Sequence, residues 1–307
     1  MPAFLDLPAA VTLTDVGPRD GFQAEATLIP TDAKVAAILG LYDAGLPEVQ
    51  IASFVHPKRM PQMADAEAVC AAVPRREGVR RLGLALNARG VDRAVAAGVD
   101  LVEVSISTND AHSRRNAGHS VADAEASMRD MIRAARDGGL AVRAGLSCVW
   151  GCGADGPEDA RSVLRIADAI LDQGVDQLSL ADSTGQATPT SIARQLDTLL
   201  PLADAAETDL VLHLHDTRGA GLANVVEALR WGVTRFDTAF GGLGGCPFIP
   251  GATGNIPTED TALLLEGMGV ATGIDIEAVA AVSRQLEAFL GHGFSGRAYS
   301  LLAETAV

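Results

Sequence analysis

The chain has 307 residues, 48% of them hydrophobic, and a formal net charge of −15. That charge argues against nucleic acid or an anionic membrane as a partner, because neutralising phosphates needs clustered Lys and Arg. Four scattered cysteines do not make a disulfide scaffold, no apolar run reaches membrane length and the N-terminus lacks a signal-peptide layout, so a reducing, cytoplasmic compartment is expected.

The first strand is predicted in VTLTDVG, from Val11, and runs straight into VGPRDGFQ, Val16 to Gln23. There Arg19 and Asp20 stand side by side, fenced by Gly and Pro; as a solvated pair in a turn they would add little stability. A helical stretch, TDAKVAAILGLYDAG, leads to EVQIAS, a second strand that carries Gln50 and closes at Ser53. Six more β-rich runs follow: RRLGLAL from Arg80, LVEVSIS from Leu101, AVRAGLSCV from Ala141, QLSLAD from Gln177, DLVLHLH from Asp209 and RFDTAF from Arg235. Between them lie Ala-rich helical patterns opened by Thr, Ser or Pro and closed by Gly.

Eight βα units at this spacing predict an α/β fold, a (β/α)₈ barrel. A doubly wound sheet would carry a phosphate-binding glycine pattern in its first turn, where this chain has Gly-Pro-Arg-Asp-Gly. No Pro- or Ser-rich linker interrupts the chain, so residues 1–307 are expected as one domain, with 275–307 a helical C-terminal extension over the barrel.

Barrel chemistry sits where the strands end at the C-terminal face. The polar residues there are Arg19 and Asp20, Gln50 and Ser53, Asn87, Ser107 and Asn109, Ser147 and Cys148, Asp182, His213 and His215, and the loop Gly242 to Cys246. Residues i and i+2 of a strand share a face, so His213 and His215 would both enter the mouth. They are either two hydrogen-bonded core histidines or ligands of one divalent cation, with Asp20 as the oxygen donor. A mixed N/O set without thiolate favours Mg²⁺ or Mn²⁺, with Co²⁺ or Zn²⁺ as substitutes. Asn255, among glycines after the eighth strand, is a turn residue or the remaining ligand.

Cys246 in GGLGGCPF is a small apolar filler, a nucleophile or a proton donor on a glycine-rich lid. Asp182 in SLADSTG is a proton-handling carboxylate or a helix cap. Cys70 reads as packing, and His56, His112, His119 and His292 as surface residues. The one tight basic cluster is SRRN, Ser113 to Asn116.

VGPRDGFQ, SFVHPKRMPQMAD, HLHDTRGAGLAN and GGLGGCPFIPGATGNIPTEDT together resemble the 3-hydroxy-3-methylglutaryl-CoA lyases, metal-dependent TIM-barrel enzymes, from about Val11 to Gly269. The resemblance implies Asp20, His213, His215 and Asn255 as metal ligands, Arg19 as the cation that meets the enolate oxygen of the departing acetyl-CoA unit, and Cys246 as the acid. It implies a functional role for Asp182, Asp20 or His213 as base, and Gln23, Gln50, Ser147 and Glu259 at the substrate. Arg114, Arg115 and Asn116 would meet CoA phosphates. An acyl-CoA substrate and a homo-oligomer, dimer or tetramer, are implied as well. Arg19 and Asp20 would then serve enolate and metal rather than each other.

Two features depart from the family pattern. Gln50 stands where the family has Glu, and GCGADG replaces a GCP-plus-aromatic segment, which opens the choice among 3-hydroxy-acyl-CoA substrates. Condensing acyltransferases of the isopropylmalate and homocitrate synthase type share Arg-Asp-Gly and His-x-His, but carry Gly-Glu-Arg where this chain has Gly-Gly-Cys-Pro.

Overall fold

A computed structural model describes residues 7–153, 159–245 and 254–304. Eight parallel strands pair in chain order and close on themselves. They are β1 (Thr12–Asp15), β2 (Glu48–Ser53), β3 (Arg80–Ala85), β4 (Leu101–Ser107), β5 (Ala141–Ser147), β6 (Gln177–Ala181), β7 (Asp209–His213) and β8 (Arg235–Thr238). All eight fall inside the β-rich runs of the sequence. The seam is a continuous register from Thr12 opposite Arg235 to Asp15 opposite Thr238.

Helices cover the outside: α1 (Thr31–Asp43), α2 (Ala66–Ala72), α3 (Ala88–Ala97), α4 (Asp110–Asn116), α5 (Val121–Asp137), α6 (Ala160–Leu171), α7 (Pro189–Ala205), α8 (Gly221–Arg230) and α9 (Thr258–Gly267). Their ends follow local chemistry. Ser120 and Asp123 form a reciprocal capping box on α5, as Thr188 and Ser191 do on α7, where Pro189 supplies the first turn. Asn87 accepts the Gly90 amide to start α3, and left-handed Gly98 ends it. The C-terminal extension consists of α10 (Ile276–Leu290), which packs on α1 and α9, and α11 (Ala298–Glu304).

The barrel interior is polar as well as apolar. Arg143 on β5 is 0% exposed; it donates to Asp237 Oδ1 at 2.8 Å, Glu48 Oε2 at 3.2 Å, Gln177 Oε1 at 2.7 Å and Thr14 Oγ1 at 3.3 Å. Burying such a charge is tolerated only because every partner is present. The seam has its own knot. Asp15 accepts the Gly17 amide at 2.8 Å, the Phe240 amide at 2.9 Å and the Thr258 hydroxyl at 2.7 Å. Gly17 is required there, since a Cβ would stand 2.6 Å from the Phe240 ring.

Candidate active site and metal centre

After β1 the chain tightens into a π-type turn, Gly17–Gly21, which delivers Arg19 and Asp20 to the C-terminal mouth of the barrel. Arg19 is 7% exposed; its Nε donates to Gln50 Oε1 and its Nη1 to Asp20 Oδ1. The two neighbours are therefore ion-pair partners, contrary to the expectation that they would not pair with each other. Adjacent positions in one tight turn leave a half-buried carboxylate no nearer counter-charge. Burial works to raise the Asp20 pKa, but Arg19, His213 and His215 outweigh it and bring it down to about 2.

The seventh strand is shorter than DLVLHLH suggests, because β7 ends at His213. His215 lies beyond it, paired with Asn255 across an isolated antiparallel bridge. The two imidazoles nevertheless meet, with their Nε2 atoms 3.2 Å apart. Asp20, His213 and His215 bring one potential ligand atom each to within 4.8 Å of one another. Asn255 is fully buried and its Nδ2 donates to Asp20 Oδ2 at 2.8 Å and to the Leu243 carbonyl at 3.0 Å. Its Oδ1, like His215 Nδ1, is buried with no hydrogen-bond partner. A carboxylate, two imidazole nitrogens and an unpartnered amide oxygen fit a divalent cation. Gly244 closes over this group: a Cβ there would lie 2.5 Å from Asn255 Nδ2 and 3.5 Å from Asp20 Oδ2.

Asp237 on β8 was not singled out by the sequence, yet it supports the centre from below. Its Oδ2 faces His213 Nδ1 at 3.2 Å while Oδ1 takes Arg143. Burial opposes charge on His213, but the Asp237 contact prevails and raises its pKa. Burial and the facing His213 push His215 down to about 3, leaving it neutral. The sequence signal was present: Asp237 is the third residue of RFDTAF, in register with His213.

The other expected residues are distributed unevenly. Gln50 is at the centre of the site, bridging Arg19 and Glu103. Gln23 is half-buried just past the Arg19 turn, and Ser147 half-buried at the end of β5. Asp182 is buried and accepts the Gln186 and Ala187 amides at 2.8 and 2.9 Å; burial pushes its pKa up to about 6. That makes it the cap of the turn after β6.

Glu259, expected at the substrate, is 1% exposed and accepts the Gly241 amide and the Ser283 hydroxyl, fixing the turn at the base of the glycine loop from helix α9. Arg114 and Arg115 are exposed on α4 at the same rim, with Arg114 paired to Asp110 at 2.7 Å. The Asn116 side chain and Cys246 lie outside the described residues. His112 is not a surface residue; it is 6% exposed and, with Cys148 and Cys152, forms a second group of close ligand-type atoms, the two sulfurs being 2.7 Å apart.

A family model described as HMGL-like matches residues 10–286. The hydroxymethylglutaryl-CoA lyase of Bacillus subtilis is 37% identical over 94% of this chain and 96% of its own length. A 3-hydroxy-3-isohexenylglutaryl-CoA/hydroxymethylglutaryl-CoA lyase of Pseudomonas aeruginosa is 36% identical over 98% of this chain and 100% of its own. Among solved structures, an HMG-CoA lyase of Acinetobacter baumannii in complex with coenzyme A and 3-methylmalate superposes with a TM-score of 0.89 at 36% identity, covering 97% of this chain and 95% of that one.

Proposed function

The chain belongs to the HMGL-like family of divalent-metal-dependent carbon–carbon lyases, and from that membership we propose how its residues divide the work. The reaction is retro-Claisen cleavage of a 3-hydroxy-3-methylglutaryl-CoA-type thioester to acetyl-CoA and acetoacetate. The observation that carries this assignment is the convergence of Asp20, His213 and His215 with the Arg19 guanidinium beside them at the barrel mouth.

Asp20, His213, His215 and Asn255 would hold a divalent cation, Mg²⁺ or Mn²⁺ from the donor types, which would supply Lewis acidity to the substrate when bound. Asp20 takes the hydroxyl proton, His213 being committed through Nδ1 to Asp237 and through Nε2 to ligation, and the electron pair of that O–H becomes the new carbonyl as the C2–C3 bond breaks. The pair released from that bond becomes the thioester enolate, whose oxygen Arg19 neutralises with its buried charge. Cys246 returns a proton to the enolate carbon, an assignment that rests on the GGLGGCPF motif. Arg114, Arg115 and Asn116 would meet the CoA phosphates, and Gln23 and Ser147 the acyl portion. Asp182, Glu259 and Asp237 act at one remove, by holding the turns and ligands in place.

We further infer one domain that associates as a homodimer or tetramer and resides in the cytoplasm. The few, scattered cysteines support a reducing compartment. No described helix is long and apolar enough to cross a membrane. The test is acetyl-CoA and acetoacetate release from 3-hydroxy-3-methylglutaryl-CoA and from analogues with longer 3-alkyl groups, with Mg²⁺ or Mn²⁺ present. Failure to cleave any of them, together with condensation of acetyl-CoA onto a 2-oxo acid, would reassign the chain to the condensing acyltransferases.

A further inference from the structure

Gln50 marks where this chain leaves the family pattern, and its surroundings show what takes over. It is fully buried on β2, between Arg19 and Glu103. Its Oε1 accepts from Arg19 Nε, and its Nε2 donates to Glu103 Oε2 at 2.9 Å. A guanidinium only donates and a carboxylate only accepts, so both ends of the amide are fixed in orientation. β2 slips register against β3 between Gln50 and Ala52, so Gln50 sits at a bulge, a usual device for aiming a side chain beside a site.

Glu103 is the unexpected member. It lies within LVEVSIS, a strand of mostly buried apolar residues, and is 8% exposed, with Oε2 4.0 Å from Arg143 Nη1. A carboxylate in such a place is costly unless it is partnered. Its partners lead in two directions, through Gln50 to Arg19 and through Arg143 to Asp237 and His213. The enolate cation and a metal ligand are thus tied to one buried network.

We propose that Glu103, acting through the Gln50 amide, is the carboxylate that orients Arg19 for catalysis. The negative charge resides on the fourth strand instead of the second, and the amide carries its hold across the gap. Asp20 already pairs with Arg19 at Nη1, so an amide at Nε fixes the guanidinium without setting a second carboxylate directly against it. Glu103 and Gln50 are positioning residues, and this assignment rests on Arg19 meeting the enolate as set out above.

The test is a double-mutant cycle on 3-hydroxy-3-methylglutaryl-CoA with Mg²⁺, comparing wild type, Glu103→Gln, Gln50→Glu and the double variant. Glu103→Gln should lower kcat by about 10–100-fold with KM changed less than about threefold, as expected when a reacting group is misplaced but substrate still binds. Gln50→Glu alone sets two carboxylates against each other and should lose a similar factor. The double variant restores one carboxylate and one amide in exchanged positions, and should recover most of the lost kcat. Wild-type kcat in Glu103→Gln, or losses that simply multiply in the double variant, would overturn the relay while leaving the lyase assignment standing. A wild-type protein that cleaves no thioester would sink both. Should Glu103→Gln fail to fold, the double variant measured against Gln50→Glu still tests the relay: a rise in kcat supports it and a further fall overturns it.

Discussion

Substituting Asp237 by Asn keeps the shape of the barrel floor and inverts one end of its hydrogen bonding. Asp237 takes Arg143 Nη1 on Oδ1 at 2.8 Å and faces His213 Nδ1 with Oδ2 at 3.2 Å. Arginine has only donors, so the amide oxygen must turn toward Arg143 and the NH₂ toward His213. His213 Nδ1 then has to accept, and the ring proton moves to Nε2, the atom that points at His215 Nε2 across 3.2 Å. A protonated Nε2 cannot ligate a cation. Loss of such a supporting carboxylate typically costs about 10–100-fold in metal affinity, or about 1.4–2.8 kcal/mol. Isothermal titration of chelator-stripped protein with Mn²⁺, with free Mn²⁺ followed by electron paramagnetic resonance, measures this directly. A folded Asp237→Asn protein with the wild-type Kd would show that Asp237 does not set the His213 tautomer.

Three further outcomes follow from the same geometry. Arg19→Met should lower kcat by about 10²-fold or more while Mn²⁺ still binds, as judged by acetyl-CoA release beside the same titration. Chelation should abolish cleavage and Mg²⁺ or Mn²⁺ restore it, and Mn²⁺ at a hundred times its Kd should add about 2.7 kcal/mol to unfolding stability; activity in chelator would contradict the metal centre. Burial raises Glu259 to about 7, above its ordinary value of 4.5, so the folded state keeps a proton that the unfolded chain has already released. Its stabilising contribution relative to Glu259→Gln is complete below about pH 4.5 and is lost as pH rises through 7. Chemical denaturation of both metal-free proteins between pH 5 and 8 reads that difference, and one that grows with pH would refute the burial argument.

The strands were legible because each is a short β-rich run closed by turn residues, and their order alone places Asp20, His213 and Asn255 at one rim. What the sequence concealed is who faces whom across the barrel. Arg143 reaches Gln177, Asp237 and Glu48, which are 34, 94 and 95 positions away. Alternation says that a mid-strand charge points inward, not which opposite strand receives it. Glu103 and Asp237 were missed for that reason, since attention to strand ends passes over residues one layer down. His215 reached its partner by a route that periodicity did not give, a bridge to Asn255 beyond the end of β7. Glu259 was harder to read, because TED follows GGLGGCPF in sequence while the fold directs its carboxylate to Gly241 and Ser283.

The knot at Asp15 has a consequence for the order in which the protein is made. Asp15 leaves the ribosome early, but two of its three donors, the Phe240 amide and the Thr258 hydroxyl, are synthesised more than 200 positions later. Burial raises its pKa to about 7, so this carboxyl is costly to enclose without those donors. A nascent chain whose segment from β8 to Thr258 is still inside the ribosome therefore has an open seam and an unpaired β1 edge. N-terminal strands can pair during translation, but the barrel closes only once β8 and the segment through Thr258 have emerged. Ribosome-bound chains stalled before Thr258, and far enough beyond it for that residue to clear the ribosome, would separate the two states by protease resistance.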